Sequence, residues 1–303
     1  MPIYALVLTS PPNQPSLSDF AVNRAFSVIP EALRRGQRWL AVNEAWEAEL
    51  ATNEGETIAD IKADVSFALK GLTLDINIVA GDQQARRKKL LVADMESTII
   101  EQECLDELAE FVGLREHVAT ITARAMRGEL DFEAAIKERV GLLAGLDVAA
   151  LQEVYDKRVT LMPGAATLVR TMQANGATCA LVSGGFDFFA ARIKERLGFD
   201  DFQANRLEIA GDKLTGGIAS PILGREAKLA ALERYTQELG IPASATMATG
   251  DGANDLAMIK ASALGVAFRA KPVVAAQAAA AITYGDLTAL LFLQGYAKDE
   301  IVV

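Results

Sequence analysis

A short apolar run, Leu90–Ala93, is followed at once by an acid, Asp94, and two residues later by a second, Glu96. Carboxylates are costly to bury, so acids at the end of a core strand constrain this chain's fold more than any other feature. The pattern recurs. "ATCALV" runs into Ser183, "ATMATG" into Asp251, and "ALGVAF" ends near Arg269. Between these runs, "GAATLVRTMQANG", "FDFFAARIKERLG", "GREAKLAALERYTQELG" and "NDLAMIKAS" have helical apolar spacing, with Gly176, Gly198 and Gly240 at helix ends. Short apolar runs alternating with helices predict an α/β fold with a doubly wound parallel sheet. Ligands bind at the carboxyl ends of such strands, so Asp94, Glu96, Ser183, Gly184 and Asp251 are expected to converge.

The segment from about 100 to 160 breaks the alternation with helices alone. Inserted just after the first strand, it is expected to cap that strand's carboxyl end. Residues 1–85 read as a separate α+β unit in the order βαββαβ, the ferredoxin-like arrangement, with 86–303 as the second domain. In the first unit "LTLDINIVAG" alternates as a half-buried strand does, and "GDQQARRKK" reads as a solvated linker.

If Asp94, Glu96, Asp251 and Asp255 share one crevice, each close pair repels by roughly 4 kcal/mol at about 4 Å and an effective dielectric near 20. Several such pairs rival a whole domain's stability, roughly 5–15 kcal/mol. A divalent cation removes most of that penalty. An oxygen-only ligand set favours Mg²⁺ over zinc. The one-residue gap between Asp94 and Glu96 suits a nucleophile beside a proton shuttle.

Other classes are disfavoured. The net charge is −10, which argues against an extended nucleic-acid or anionic-membrane surface. The sole histidine, His117, rules out a multi-histidine zinc site, and no GxxxxGK[ST] loop is present. Cys104 and Cys179 lie within apolar patterns and read as buried thiols. The start "MPIYALVLTSPPNQP" lacks a basic leader, and the Ala-rich "VVAAQAAAAITYG" is too short to span a bilayer, so a cytoplasmic protein is expected.

"DMEST", "LVSGGFDFFA", the lysine of "GREAKLAAL" and "TGDGANDLAMIKAS" together resemble the four motifs of haloacid-dehalogenase-type phosphatases. The resemblance covers nearly all of residues 88–280 and is closer still to the phosphoserine phosphatases, through "ECLDELA", "AMRGELDFEAAIKERV" and "LTGGIASPIL". The N-terminal unit is similar to ACT-like domains. The resemblance implies Mg²⁺-dependent hydrolysis of O-phospho-L-serine, in which Asp94 forms an aspartyl-phosphate and Glu96 serves as acid, then base. It implies that Asp94, the main-chain oxygen of Glu96, and Asp251 hold the metal, with Asp255 beside them. Ser183, the Gly184 amide and Lys228 would grip the phosphoryl group, and Asn254 would orient that end of the site. In the cap, Glu103 would meet the substrate ammonium and Arg139 its carboxylate, with Phe132 packed alongside.

The family motif has aspartate where this chain has Glu96, one methylene longer, so its carboxyl overshoots unless the side chain bends or the backbone shifts. Two alternatives stand beside this reading. One is the same chemistry on another small phosphate, or phosphoryl transfer to an acceptor such as homoserine. The other is an amino-acid-sensing regulatory protein. The N-terminal unit is expected to aid packing or a homodimer.

Overall fold

The N-terminal unit is built from β1 (Ile3–Thr9), α1 (Asp19–Ser27), β2 (Arg34–Ala41), β3 (Ala45–Ala51), α2 (Gly55–Ala68) and β4 (Asp75–Ala80). A computed structural model describes residues 1–14, 16–52, 55–127 and 129–303, without the side chains of Glu56 and Met126. Pro15 of the opening stretch and Gly128 of "AMRGEL" therefore lie outside the described residues. The four strands form an antiparallel sheet in the order β2-β3-β1-β4, the ferredoxin-like order. Leu6, Leu8, Ala48 and Leu50 share one apolar cluster with Ala21, Val22, Ile61 and Val65 of the two helices. Ser18 caps α1 by accepting the Ala21 N–H at 3.3 Å.

Two expectations about this unit need correction. In β4 the polar residues Asp75 and Asn77 are buried together with Val79, while Ile76 and Ile78 are half-buried. The polar face meets the second unit, not water. Asp75 accepts the Thr283 and Gly285 N–H groups at 2.7 and 2.8 Å, and Asn77 exchanges two hydrogen bonds with Ala281. Nor is "GDQQARRKK" a solvated linker. It holds a helical turn, α3 (Gln83–Arg86), and it buries Arg86 and Lys88. Arg86 pairs with Glu47 of β3 at 2.6 Å, and Lys88 donates to the Ala85 and Ser244 carbonyls.

The second unit opens with β5 (Leu90–Ala93) and four helices, α4 (Cys104–Glu110), α5 (Arg115–Met126), α6 (Phe132–Gly141) and α7 (Ala149–Lys157). An isolated antiparallel bridge, Ile100 to Leu161, ties the two ends of this helical insertion together. The chain continues with α8 (Ala165–Ala174), β6 (Thr178–Phe186), α9 (Asp187–Leu197), β7 (Asp201–Asn205) and a hairpin of β8 (Leu207–Ala210) and β9 (Lys213–Ile218). It ends with α10 (Arg225–Glu238), β10 (Thr246–Gly250), α11 (Leu256–Ala261), β11 (Leu264–Phe268), α12 (Pro272–Ala275), β12 (Ala280–Ile282) and α13 (Ala289–Leu293).

Six strands pair in parallel in the order β12-β11-β10-β5-β6-β7. The edge strands β7 and β12 escape the sequence reading because "DFQAN" is polar and "AAI" sits in an Ala-rich run. The strand order reverses between β5 and β10. That is the switch point, where a doubly wound sheet opens a crevice beyond its strand ends. Asp94 directly follows β5 and Asp251 directly follows β10. No helix among the described residues is long and apolar enough to cross a membrane.

Candidate active site

The floor of the crevice is a cluster of charge. Asp94 is anchored through its own N–H to the Thr249 carbonyl of the neighbouring strand (3.0 Å), which holds it at the strand end. Lys228, from the first turns of α10, is 1% exposed, with its ammonium 2.7 Å from Asp94 Oδ1 and 2.5 Å from Asp255 Oδ1. The other Asp255 oxygen accepts the Gly252 N–H at 3.0 Å. Gly250 makes that approach possible, since a β-carbon there would stand 2.3 Å from Asp255 Cγ.

Electrostatics follow from this crowding. Burial raises the Asp94 pKa well above the carboxylate range, Asp255 raises it further, and Lys228 opposes both. Asp251 is pushed up to about 7 by burial first and by Asp255 second. Burial works against the Lys228 charge, but Asp255 and Asp94 outweigh it and raise its pKa.

The cluster fits a hard divalent cation. One oxygen from each of Asp94, Asp251 and Asp255 lies within 4.8 Å of the others. Asp251 Oδ1 is buried without a hydrogen-bond partner, although its other oxygen lies 3.6 Å from Lys271 Nζ. One orphaned buried oxygen in an all-oxygen set suits a hard cation such as Mg²⁺.

Above the floor is a cleft, partly open to solvent, lined by Asp94, Glu96, Glu103, Phe132, Arg139 and Asn254 among others. Gly184 also lines it, whereas Ser183, Lys228, Asp251 and Asp255 lie buried beneath. Ser183 Oγ accepts the Gly185 N–H at 2.9 Å. Glu96 answers the question of its length by bending: Oε1 accepts the Cys104 N–H at 2.8 Å, at the start of α4. Burial raises its pKa and the Cys104 contact opposes that rise.

The cap brings the remaining groups over the cleft. Glu103 Oε1 accepts from Ser97 Oγ at 2.6 Å, and burial, then Glu96 and Asp251, raise its pKa well above normal. Arg139 is 7% exposed; its Nε donates to the Ala135 carbonyl at 3.1 Å and its Nη1 to Thr122 Oγ1 at 2.9 Å. Thr122 in turn donates to Asp106 Oδ1 at 2.7 Å. Among the described residues Arg139 makes no direct ion pair, although the nearby Glu96, Glu103 and Asp106 carboxylates favour its charge against the cost of burial.

Sequence reasoning missed the residues that orient these groups. Ser97, inside "DMEST", sits at φ +55°, and Asn205 holds the Gly184 and Leu223 carbonyls at 2.8 and 3.2 Å. Thr122 lies in no motif, and Asp106 lies inside "ECLDELA" without a role assigned to it there; only their contacts between helices reveal them. His117 is exposed on α5, and both cysteines are buried, as expected.

A parallel sheet with an acidic switch point and a helical cap defines a class, and the comparisons agree. The chain belongs to the haloacid dehalogenase-like hydrolase family, whose model matches residues 91–260. Among curated relatives, it is 44% identical over 253 residues to a phosphoserine phosphatase of Streptomyces coelicolor, covering 84% of this chain and 61% of that one. The chain thus spans somewhat under two thirds of that relative's length. A probable phosphoserine phosphatase of Schizosaccharomyces pombe is 39% identical over 271 residues, covering 89% of this chain and 90% of the relative. Among solved structures, a haloacid dehalogenase family hydrolase of Salmonella enterica superposes with a TM-score of 0.81 at 31% identity, over 97% of this chain and 98% of that one. A phospho-aspartyl intermediate analogue of a phosphoserine phosphatase gives 0.66 at 39% identity, over 68% of this chain and 98% of that one.

Proposed function

We propose that this chain is a cytoplasmic, Mg²⁺-dependent phosphoserine phosphatase that hydrolyses O-phospho-L-serine to L-serine and phosphate. Its carrying observation is the Asp94 carboxylate 2.7 Å from a buried ammonium, below a cleft lined by a buried cation, Arg139, with no direct ion pair, and an acid, Glu103. Asp94 attacks phosphorus, the bond to the seryl oxygen breaks, and Glu96 gives that oxygen its proton. Glu96 then takes a proton from the water that hydrolyses the aspartyl-phosphate. A raised Glu96 pKa suits an acid that must hold a proton before releasing it. Lys228, Ser183 and the Gly184 amide hold phosphoryl oxygens, with Asn254 at the cleft edge. Asp94, the main-chain oxygen of Glu96 and Asp251 would hold the cation beside Asp255, and its charge lets these carboxylates ionise together and stabilises the phosphoryl group.

Recognition of the amino acid is assigned to the cap. Arg139 offers a planar fork to the substrate carboxylate, Glu103 receives its ammonium, and Phe132 closes the side. Residues 1–85 are read as a separate ACT-like unit that packs against the core and aids self-association. Their own apolar cluster supports that division.

Phosphate release from phosphoserine, phosphothreonine and sugar phosphates, with and without homoserine, tests the proposal. Phosphoserine should dominate, chelation should abolish turnover, and Mg²⁺ should restore it. Asp94→Asn should lose both activity and the hydroxylamine-labile phosphoprotein formed during turnover. Equal rates across the panel would sink the assignment.

A further inference from the structure

We infer that Gly185 is a positioning residue that sets how long the proton-transferring acid can be: it leaves the space into which the extra methylene of Glu96 folds. The inference rests on reading Glu96 as the acid and base. A β-carbon at position 185 would stand 2.6 Å from Glu96 Oε2, 2.9 Å from Cδ and 3.1 Å from Oε1. All three of its nearest neighbours belong to that one carboxyl group. The Cys104 N–H also holds Oε1, at 2.8 Å. The carboxyl is therefore fixed by a backbone donor and lies close against a bare α-carbon.

The neighbouring glycines do different work. A β-carbon on Gly184 would meet the Phe132 ring at 2.9 Å, and one on Gly224 would meet the same ring at 3.1 Å. Only Gly185 faces the acid. Its φ is not in the left-handed region, so an alanine suits the backbone. Its N–H bond to Ser183 Oγ survives any substitution except proline. What an added methyl would displace is the tip of a flexible side chain. The fold stays, and the carboxyl leaves its place over the reacting oxygen. Aspartate at 96, one methylene shorter, withdraws from the contact. Positions 96 and 185 are thus coupled: a glutamate needs glycine opposite, and an aspartate tolerates alanine.

A double-mutant cycle tests this. Gly185→Ala should lower kcat for phosphoserine by about 100-fold or more, the scale of a lost general acid. Its melting midpoint should stay within about 2 °C of the parent. In the Glu96→Asp background the same substitution should change kcat by less than about fivefold relative to Glu96→Asp alone. If Gly185→Ala fails to fold while the double variant folds, the clash is at position 96 and the inference holds; failure of both overturns it. Equal losses in both backgrounds, or no loss in the parent, also overturn it. Glu96→Gln reads the underlying assignment separately, because full turnover there removes the acid–base role and the inference with it. A dead Glu96→Gln with equal losses from Gly185→Ala removes the inference alone.

Discussion

Arg139 shows how single residues divide the work. Burial lowers its pKa, yet a guanidinium stays charged at any working pH, so the cleft wall always carries a cation. The Thr122 hydroxyl and the Ala135 carbonyl hold it without neutralising it. Lysine there keeps the charge and loses the two-pronged geometry. Arg139→Lys should therefore lower kcat/KM for phosphoserine by roughly 10- to 100-fold, the range of a lost charge-assisted hydrogen bond. A phosphate ester without a carboxylate should change by less than about threefold. Steady-state kinetics on the two substrates decide it, and equal losses would place Arg139 outside carboxylate recognition. At this scale the acids were legible from their places after apolar runs, since burial of Asp94 and Asp251 demands a partner. Thr122 and Asp106 were not, because their meaning lies in a chain of contacts across three helices, from Arg139 to Thr122 and on to Asp106.

At the scale of elements, the cap is a group of helices whose α6 carries both Phe132 and Arg139. Asp131 starts α6, accepting the Ala134 N–H at 2.8 Å. Asp131→Ala should weaken that helix by about 1 kcal/mol, a typical loss for an N-cap. The result should be faster amide exchange across Phe132–Gly141 and a raised KM, with kcat less affected, because substrate binding must reorder the turn. Unchanged exchange in α6 would count against it. Helical periodicity made these elements readable. The edge strand β7 was not readable because an edge strand need not be apolar on both faces, and β12 because three residues inside an Ala-rich run carry no strand signal.

For the whole molecule, the first unit is joined to the second by buried polar contacts. Glu47 accepts from Arg86 at 2.6 Å and from Arg38 at 2.7 Å, and Arg86 also donates to the Leu293 carbonyl. Glu47→Ala strands a buried guanidinium, a change worth about 3–5 kcal/mol. Calorimetry should show a lowered melting midpoint, with the catalytic sheet chemically intact at permissive temperature. A shift no larger than that of an exposed substitution would mean the units dock by other contacts. "GDQQARRKK" misled because a basic run is usually solvated, and nothing local to it announces Glu47, some 40 residues earlier in the chain.

The sequence alone determined the alternation of strand and helix, the acids at strand ends, and hence the expectation of an acidic crevice that a divalent cation would suit. Those follow from local periodicity and from the free energy of burying charge, and neither needs a partner's coordinates. Only the tertiary structure decided that the Glu96 carboxyl reaches the Cys104 amide beside Gly185, that Arg139 is buried at the cleft with a hydroxyl for its direct side-chain partner, and that β4 turns its polar face inward. Each of these depends on which distant atom fills a given ångström of space. Packing settles that, and pattern does not record it.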